Sequence, residues 1–263
     1  MKQILQYEDA DGNITYSRLG SWLAWREQEV ILSVPRNKSG ICTICEGYGI
    51  VRSRYGPMRC FCEIESETIE LAKTHKKYQS SYAKKSMDDF VTWGSAQSTQ
   101  VLENFHKLVY NWSIWPDSWL TIIGQPGTGK SHVLAALAEF FGPWALYITA
   151  TDFDAWLHRL MDSDEDGTMT EFLDAVKTTP ILLFDDLGSE YVKTGVDWLR
   201  SNLRKVIDFR YLRPKEFPTV VTTNLNRDFI MQYDMRIGSR ILDVDNVDVI
   251  ELAEVGDYRR RIS

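Results

Sequence analysis

The sequence lacks a long hydrophobic run, and its net charge is not positive. No apolar stretch approaches the roughly 20 residues that a membrane-spanning helix needs, and the N-terminus turns polar and acidic within ten residues, unlike a secretory signal peptide. The 263 residues carry a formal net charge of −7, whereas proteins that coat duplex DNA are usually basic. We therefore expect a cytoplasmic protein without membrane contact, in which any contact with nucleic acid is made by local patches.

Cysteine is scarce, and its four copies are confined to positions 42–62 as a CxxC pair and a CxC pair: Cys42, Cys45, Cys60 and Cys62. Clustered thiols in a cytosolic chain favour tetrahedral Zn²⁺ over disulfides, with four unrelated reduced thiols or an iron–sulfur cluster as alternatives. Such a zinc site is structural, because all four ligands are protein and a small domain gains from a metal staple. We predict a zinc-binding domain at 1–63 and a polar, Lys-rich linker, helical or flexible, at 64–86.

From residue 87 onward, strand-like and helix-like patterns alternate. Short apolar or β-branched runs predict strands at 119–123, 144–149, 181–184, 219–223 and 247–252. Helical spacing predicts helices at 131–141, 152–161 and 196–207, and a broken one at 226–243. This alternation predicts an α/β domain at 87–263, with a parallel sheet between two layers of helices.

A complete phosphate-binding motif, GxxxxGK[ST], follows the first strand of this domain and opens the next helix. It consists of Gly124, Gln125, Pro126, Gly127, Thr128, Gly129, Lys130 and Ser131, and His132 comes directly after it. Glycines let backbone N–H groups converge on phosphate oxygens, and the helix N-terminus adds positive dipole. Lys130 would reach the β- and γ-phosphates of ATP, and Ser131 would bind Mg²⁺.

Two further polar sites follow buried strands. The run 181–184 ends in Asp185 and Asp186, and the run 219–223 ends in Asn224. Because parallel strands end at the same edge of a sheet, these side chains should lie beside the phosphates. We expect Asp185 to hold the magnesium shell, Asp186 to orient or deprotonate the attacking water, and Asn224 to touch the γ-phosphate or the water.

Together these motifs resemble the AAA+ ATPases, and the stretch from about residue 87 to the end resembles the DnaC/DnaI/IstB group among them. The resemblance covers about two-thirds of the chain, in the segments MDDF at 87–90, GQPGTGKSHVLAALA at 124–138, ILLFDDLGSE at 181–190, TVVTTNLN at 219–226 and MRIGSRI at 235–241. It implies an AAA+ core. With eleven residues after Leu252, we expect no full lid domain, and residues 258–261 resemble the short basic C-terminus of the group.

The resemblance also implies roles for single residues. Asn224 corresponds to sensor 1, and Arg240 to the arginine finger that enters a neighbouring subunit's site, with Arg236 as the second choice. Many AAA+ enzymes have Glu where Asp186 stands, so hydrolysis is expected to be slow or to need a partner that aligns the water.

The function implied by the resemblance is ATP-dependent loading of a replicative DnaB-type helicase onto single-stranded DNA in the initiation of replication. The Mg²⁺-dependent ATPase domains would self-associate, and the zinc domain would bind the helicase. Two alternatives stay open. One is an IstB-like transposition helper that coats duplex DNA, and the other is an adaptor that holds ATP as a switch and turns it over slowly.

The DNA-contacting surface is less clear from the sequence. The segment 152–174 is strongly acidic and would repel phosphate. The expected surface is instead the helix at 196–210, unless its basic side chains only face solvent. These side chains are Arg200, Arg204, Lys205 and Arg210.

Overall fold

The computed structural model of the chain describes residues 6–8, 14–16, 39–41, 48, 50–53, 56–59, 61–114, 116, 118–161, 166–189, 196–253 and 255–260. The chain divides into two compact units, Met1–Thr74 and His75–Ser263. Among the described residues, every helix is too short or too polar to cross a membrane.

The first unit contains two antiparallel strand pairs. Strand β1, Gln6–Glu8, pairs with β2, Ile14–Tyr16, and β3, Ile50–Ser53, pairs with β4, Gly56–Arg59. Helix α1, Phe61–Tyr78, follows. The zinc prediction lies outside the described residues, since Cys42, Cys45 and Cys60 are not described and Cys62 is described only by its helical backbone.

The last turn of α1 differs from the polar linker expected up to residue 86. His75 and Tyr78 are buried in the second unit, and the boundary between the units falls at Thr74. The Tyr78 ring packs edge-on against Trp156 at 5.3 Å and Phe172 at 5.1 Å. The linker was expected because this stretch contains few aliphatic residues. The packing is instead made by two ring side chains among the lysines, those of His75 and Tyr78.

The second unit is an α/β domain. In chain order its elements are α2 Ala96–Ile114, β5 Trp119–Gly124, α3 Lys130–Phe141, β6 Ala145–Thr149, α4 Ala150–Met161, α5 Asp166–Thr178, β7 Ile181–Leu187, α6 Val196–Tyr211, β8 Thr219–Thr223, α7 Arg227–Tyr233, α8 Met235–Ile241 and β9 Val247–Leu252. The five strands of its sheet are all parallel, in the order β6-β7-β8-β5-β9. The predicted parallel α/β sheet is therefore confirmed, and β5, which leads into the predicted phosphate-binding loop, lies inside it.

Two helices of this unit were not predicted, α2 and α5. Both pack through buried aromatic and aliphatic residues, for example Leu102 and Phe105 in α2 and Phe172 and Val176 in α5. Helix α5 falls in the acidic segment, where the acids on its outer face hide the apolar spacing. The buried residues of α2 recur at helical spacing, at Leu102, Phe105, Val109 and Trp112, so the sequence did carry an amphipathic signal that the prediction did not use.

The side chain of Arg210, at the end of α6, is fully buried. Its guanidinium donates to Thr219 Oγ1 and to the carbonyls of Thr179 and Pro218, each at 2.8 Å, and to that of Lys177 at 2.9 Å. It thereby ties the end of α5 to the start of β8. The prediction that Arg210 contacts DNA is wrong, because its planar fork of donors is used inside the protein.

Candidate functional site

The loop between β5 and α3 has a backbone that only glycine adopts easily. Gly127 and Gly129 have positive φ angles of 86° and 95°. A Cβ atom on Gly127 would lie 1.8 Å from Asp257 Oδ1, so the space beside it is also filled. The loop thus leads directly into the N-terminus of α3, as a phosphate cradle requires.

Lys130 is buried at the start of α3 and points back under the loop. Its ammonium donates to the carbonyl oxygens of Gly124 at 2.8 Å and Gln125 at 2.9 Å, and to Asn224 Oδ1 at 2.8 Å. Burial lowers the pKa of Lys130 to about 8, against the opposing pull of Asp186 and Asp185. The ammonium is therefore held in place but is unusually easy to deprotonate.

Asn224 links Lys130 to Asp186. Its amide nitrogen donates to Asp186 Oδ1 at 2.5 Å while its oxygen accepts from Lys130. Asp186 has φ 61°, in the left-handed region that Asp tolerates better than most residues. Burial, and then the neighbouring Asp185 carboxylate, raise the pKa of Asp186. The structure thus brings Lys130 of the loop together with Asp186 and Asn224, which the sequence predicted at the ends of two strands beside it.

Asp185 lies just behind this group and is buried. Its Oδ2 accepts from the Tyr147 hydroxyl at 2.7 Å, and its Oδ1 accepts from the Thr222 hydroxyl. Burial and the adjacent carboxylate raise the pKa of Tyr147, so its hydroxyl keeps the proton that it donates. Within the described residues, no three His, Cys, Asp or Glu side chains form a metal-binding group.

A cavity of about 540 Å³ opens over the loop. Of the predicted site residues, those that line it are Pro126, Gly127, Gly129, Lys130, Ser131, His132, Asp186 and Asn224. Those that do not line it are Gly124, Gln125, Thr128, Asp185, Arg236 and Arg240. Of these, Gly124 is the last residue of β5, and Gln125 and Thr128 lie in the loop itself, where Thr128 Oγ1 donates to the Gln125 carbonyl at 2.9 Å.

The remaining lining residues come from segments 85–93 and 258–259, on either side of the loop. They are Lys85, Asp89, Phe90, Val91, Trp93, Tyr258 and Arg259. The Trp93 indole donates to the Gly256 carbonyl at 3.1 Å, and its ring meets Tyr258 edge-on at 4.9 Å. The Tyr258 amide donates to the Gly127 carbonyl at 2.9 Å. The sequence signalled only residues 87–90 and 258–261, and nothing local marked Trp93.

Arg240 lies away from this cavity. Its guanidinium lies over the Tyr211 ring at 5.0 Å and pairs with Asp208 at 3.4 Å. The Tyr211 ring packs edge-on at 6.1 Å against Trp119, the first residue of β5. Since a strand rises about 3.3 Å per residue, the loop after Gly124 begins about 16 Å further along. Arg240 is thus near the start of the strand whose end carries the phosphate loop.

The other basic residues of α6 are largely engaged. Arg204 Nε pairs with Asp234 at 2.6 Å, and the Arg200 guanidinium lies over the Tyr233 ring at 4.6 Å. Lys205 is exposed. Helix α6 therefore does not present the four basic side chains to solvent that the sequence suggested.

Comparison with known proteins gives sequence similarity to a helicase loader and to two further proteins of Bacillus subtilis (strain 168). The chain is 28% identical over 109 residues to the replicative helicase loader DnaI of Bacillus subtilis (strain 168), which is 41% of this chain and 34% of that protein. The matched stretches span about a third to a half of the length of these relatives. No family model matches the chain.

The fold is shared with solved structures, among them one of DnaI and one of DnaA. A DnaI structure has a TM-score of 0.50 and 21% identity, covering 72% of this chain and 100% of that one. DnaA from Aquifex aeolicus, solved with AMPPCP bound, has a TM-score of 0.50 and 21% identity, covering 68% of this chain and 53% of that one. A stretch of 109 residues is thus homologous to part of the helicase loader DnaI, and the α/β domain has the fold of the DnaI and DnaA structures.

Proposed function

We propose that this protein is an ATP-dependent loader that places a replicative DnaB-type helicase on single-stranded DNA. The observation that carries the proposal is the hydrogen-bonded series Lys130–Asn224–Asp186 at the mouth of the cavity. It joins the phosphate loop to the ends of two neighbouring strands, as ATP hydrolysis requires. The homology to DnaI supports the choice of loading among the many uses of such a site.

The loop fits a triphosphate because its glycines leave the backbone N–H groups free of Cβ atoms. Lys130 would exchange its carbonyl partners for β- and γ-phosphate oxygens, and Ser131 and Asp185 would hold Mg²⁺. The metal, when bound, neutralises charge that develops on the phosphates. Residues of segments 85–93 and 258–259 would enclose the rest of the nucleotide.

Asp186 is proposed to act on the attacking water. The water gives its proton to the carboxylate, its oxygen bonds to the γ-phosphorus, and the bond to the β–γ bridging oxygen breaks, so that ADP leaves. The raised pKa of Asp186 makes it a better base than an ordinary carboxylate. Its side chain is one methylene shorter than Glu, which supports slow turnover.

Arg240 is proposed to complete the site of a neighbouring subunit. In its own chain it belongs to the side of the domain where β5 begins, whereas the cavity follows the end of β5. An added cation near the γ-phosphate stabilises the transition state. Self-association through this surface would therefore couple hydrolysis to assembly.

The first unit is proposed to be a zinc-binding module that holds the helicase. The β3–β4 hairpin pairs Ile50, five residues after Cys45, with Arg59, the residue before Cys60. This supports joint binding of one Zn²⁺ by Cys42, Cys45, Cys60 and Cys62.

The proposal is tested with the full chain and a purified hexameric helicase. Wild-type protein should contain one tightly bound zinc and bind the helicase, whereas Cys45→Ser should lose both and still bind a fluorescent ATP analogue. Lys130→Ala should do the reverse. Binding of duplex DNA with no affinity for the helicase would instead favour a transposition helper, and ATP binding without turnover on single-stranded DNA would favour a switch-like adaptor.

A further inference from the structure

Strand β7 contains one extra residue at its carboxyl end, opposite β8. Phe184 pairs with Val221 and Leu187 pairs with Thr223, so both Asp185 and Asp186 lie opposite the single residue Thr222. A bulge of this kind leaves one backbone group without a ladder partner and re-aims the side chains around it. The positive φ of Asp186 belongs to the same distortion.

Thr222 satisfies this bulge with its side chain. Its hydroxyl oxygen accepts a hydrogen bond from the Asp186 backbone N–H at 2.9 Å, and the same hydroxyl donates to Asp185 Oδ1. The Thr222 side chain is fully buried, so water cannot replace these contacts. One hydroxyl therefore fixes both the direction of Asp186 and the rotation of Asp185.

The second oxygen of Asp185 is fixed from the other side of β7. Tyr147 lies on β6, and its hydroxyl donates to Asp185 Oδ2 at 2.7 Å in a buried hydrogen bond. The ring is held by Tyr82 at a centroid distance of 5.1 Å. The carboxylate is thus clamped between hydroxyls from both neighbouring strands, which leaves it one orientation.

We propose that Tyr147 and Thr222 are positioning residues that set the Asp185 carboxylate for Mg²⁺ and, through Thr222, aim Asp186 at the nucleotide. This inference rests on the proposed function, since it assigns the metal shell to Asp185. Partners that orient a metal ligand commonly contribute about 10-fold to 100-fold to metal affinity or activity. Removing either hydroxyl should therefore weaken the binding of Mg²⁺ and leave the binding of the nucleotide itself unchanged.

The test measures the affinity of a fluorescent ATP analogue as Mg²⁺ is titrated. In Tyr147→Phe and Thr222→Val, the Mg²⁺ concentration that gives half of the maximal gain in analogue affinity (the half-point) should rise about 10-fold or more. The affinity for the analogue in the presence of a chelator should stay at the wild-type value. Thr222→Ser keeps the hydroxyl and should therefore keep the wild-type half-point. Thr222→Val should also lower kcat, because Asp186 loses its anchor.

Two matched controls remove similar groups away from Asp185. Tyr82→Phe deletes the hydroxyl of the neighbouring ring, and Thr121→Val deletes a buried hydroxyl on β5 that donates to the Ile241 carbonyl. Both should keep the wild-type half-point for Mg²⁺. If they shift it as much as Tyr147→Phe does, or if Tyr147→Phe loses only thermal stability, the positioning role is overturned. Equal nucleotide binding by Lys130→Ala and wild type would instead overturn the proposed function.

Discussion

The Lys130 ammonium donates a hydrogen bond to the side-chain oxygen of Asn224 over 2.8 Å, across 94 positions of sequence. Two carbonyl oxygens of the phosphate loop accept from the same ammonium. The lysine that should meet the γ-phosphate is therefore already in the site, with its charge satisfied by neutral acceptors. An entering phosphate has to displace these acceptors, and it gains because a full negative charge replaces carbonyl dipoles.

Nucleotide affinity should decrease as the pH rises from about 7 to about 9. Burial lowers the pKa of Lys130 to about 8, so the ammonium is mostly protonated below that pH and mostly neutral above it. Since phosphate needs the charged form, affinity should fall about tenfold across this range. Titration of a fluorescent ATP analogue at a series of pH values measures the change.

Lys130→Arg is the matched control for this profile, because a guanidinium keeps its charge throughout the range. The variant is expected to bind more weakly, since its fork does not fit the pocket of one ammonium, but its pH profile should be flat. A flat profile in the wild type would contradict the lowered pKa.

Asp186→Asn should bind ATP and fail to hydrolyse it. Asn tolerates the positive φ at this position and can still accept the hydrogen bond from Asn224, so the fold and the nucleotide site should persist. The amide cannot take a proton from water. Phosphate-release assays should show a loss of at least about 100-fold, and Asp186→Glu should retain activity. Wild-type turnover by Asp186→Asn would remove this residue from the catalytic set.

Local spacing explains why much of the site was predictable. The phosphate loop is a contiguous motif, and Lys130, Asp186 and Asn224 converge because parallel strands end at one edge of the sheet. Tyr147 and Thr222 left no comparable signal, because they are ordinary strand residues whose partner, Asp185, is set by the register of three strands.

The prediction for Arg210 failed for a different reason, because the sequence did indicate that this residue is buried. It follows Leu203 by seven residues and Ile207 by three, which is the apolar face of α6. The prediction relied on the charge of Arg210 and not on its position on the apolar face of the helix. An arginine can nevertheless be buried where carbonyl oxygens accept hydrogen bonds from its guanidinium. Helix ends and strand starts supply those carbonyls here, and only the tertiary fold brings them together.

Arg210→Met should destabilise the protein by about 3–5 kcal/mol, because it leaves several buried carbonyls without donors. The stability of Arg210→Lys should lie between those of the wild type and Arg210→Met, because one ammonium cannot reach acceptors at both the end of α5 and the start of β8. Denaturant unfolding followed by tryptophan fluorescence measures the change. Arg213→Met, at a half-exposed neighbour, is the control and should stay within about 0.5 kcal/mol of wild type. A similar small effect at Arg210 would contradict its structural role.

Arg240→Ala should bind ATP with wild-type affinity and lose hydrolysis. Its guanidinium is held on Tyr211 and Asp208, outside its own cavity, so removal leaves the nucleotide contacts intact. Arginine fingers contribute about 10³–10⁵ in rate in GTPases, and the loss here should be smaller because basal turnover is slow. Phosphate release is measured at protein concentrations that allow self-association.

Mixing two inactive variants separates action in a neighbouring subunit from action within one chain. Lys130→Ala subunits have no working nucleotide site but keep Arg240, whereas Arg240→Ala subunits have a working site and no finger. A mixture should therefore regain hydrolysis, at the interfaces where a Lys130→Ala subunit supplies its arginine. Arg213→Ala subunits, with a surface arginine removed from the same region of the chain, should be active alone. If mixing restores nothing and Arg240→Ala alone is fully active, the finger is another arginine, and Arg236, exposed on the first turn of α8, is the next to replace.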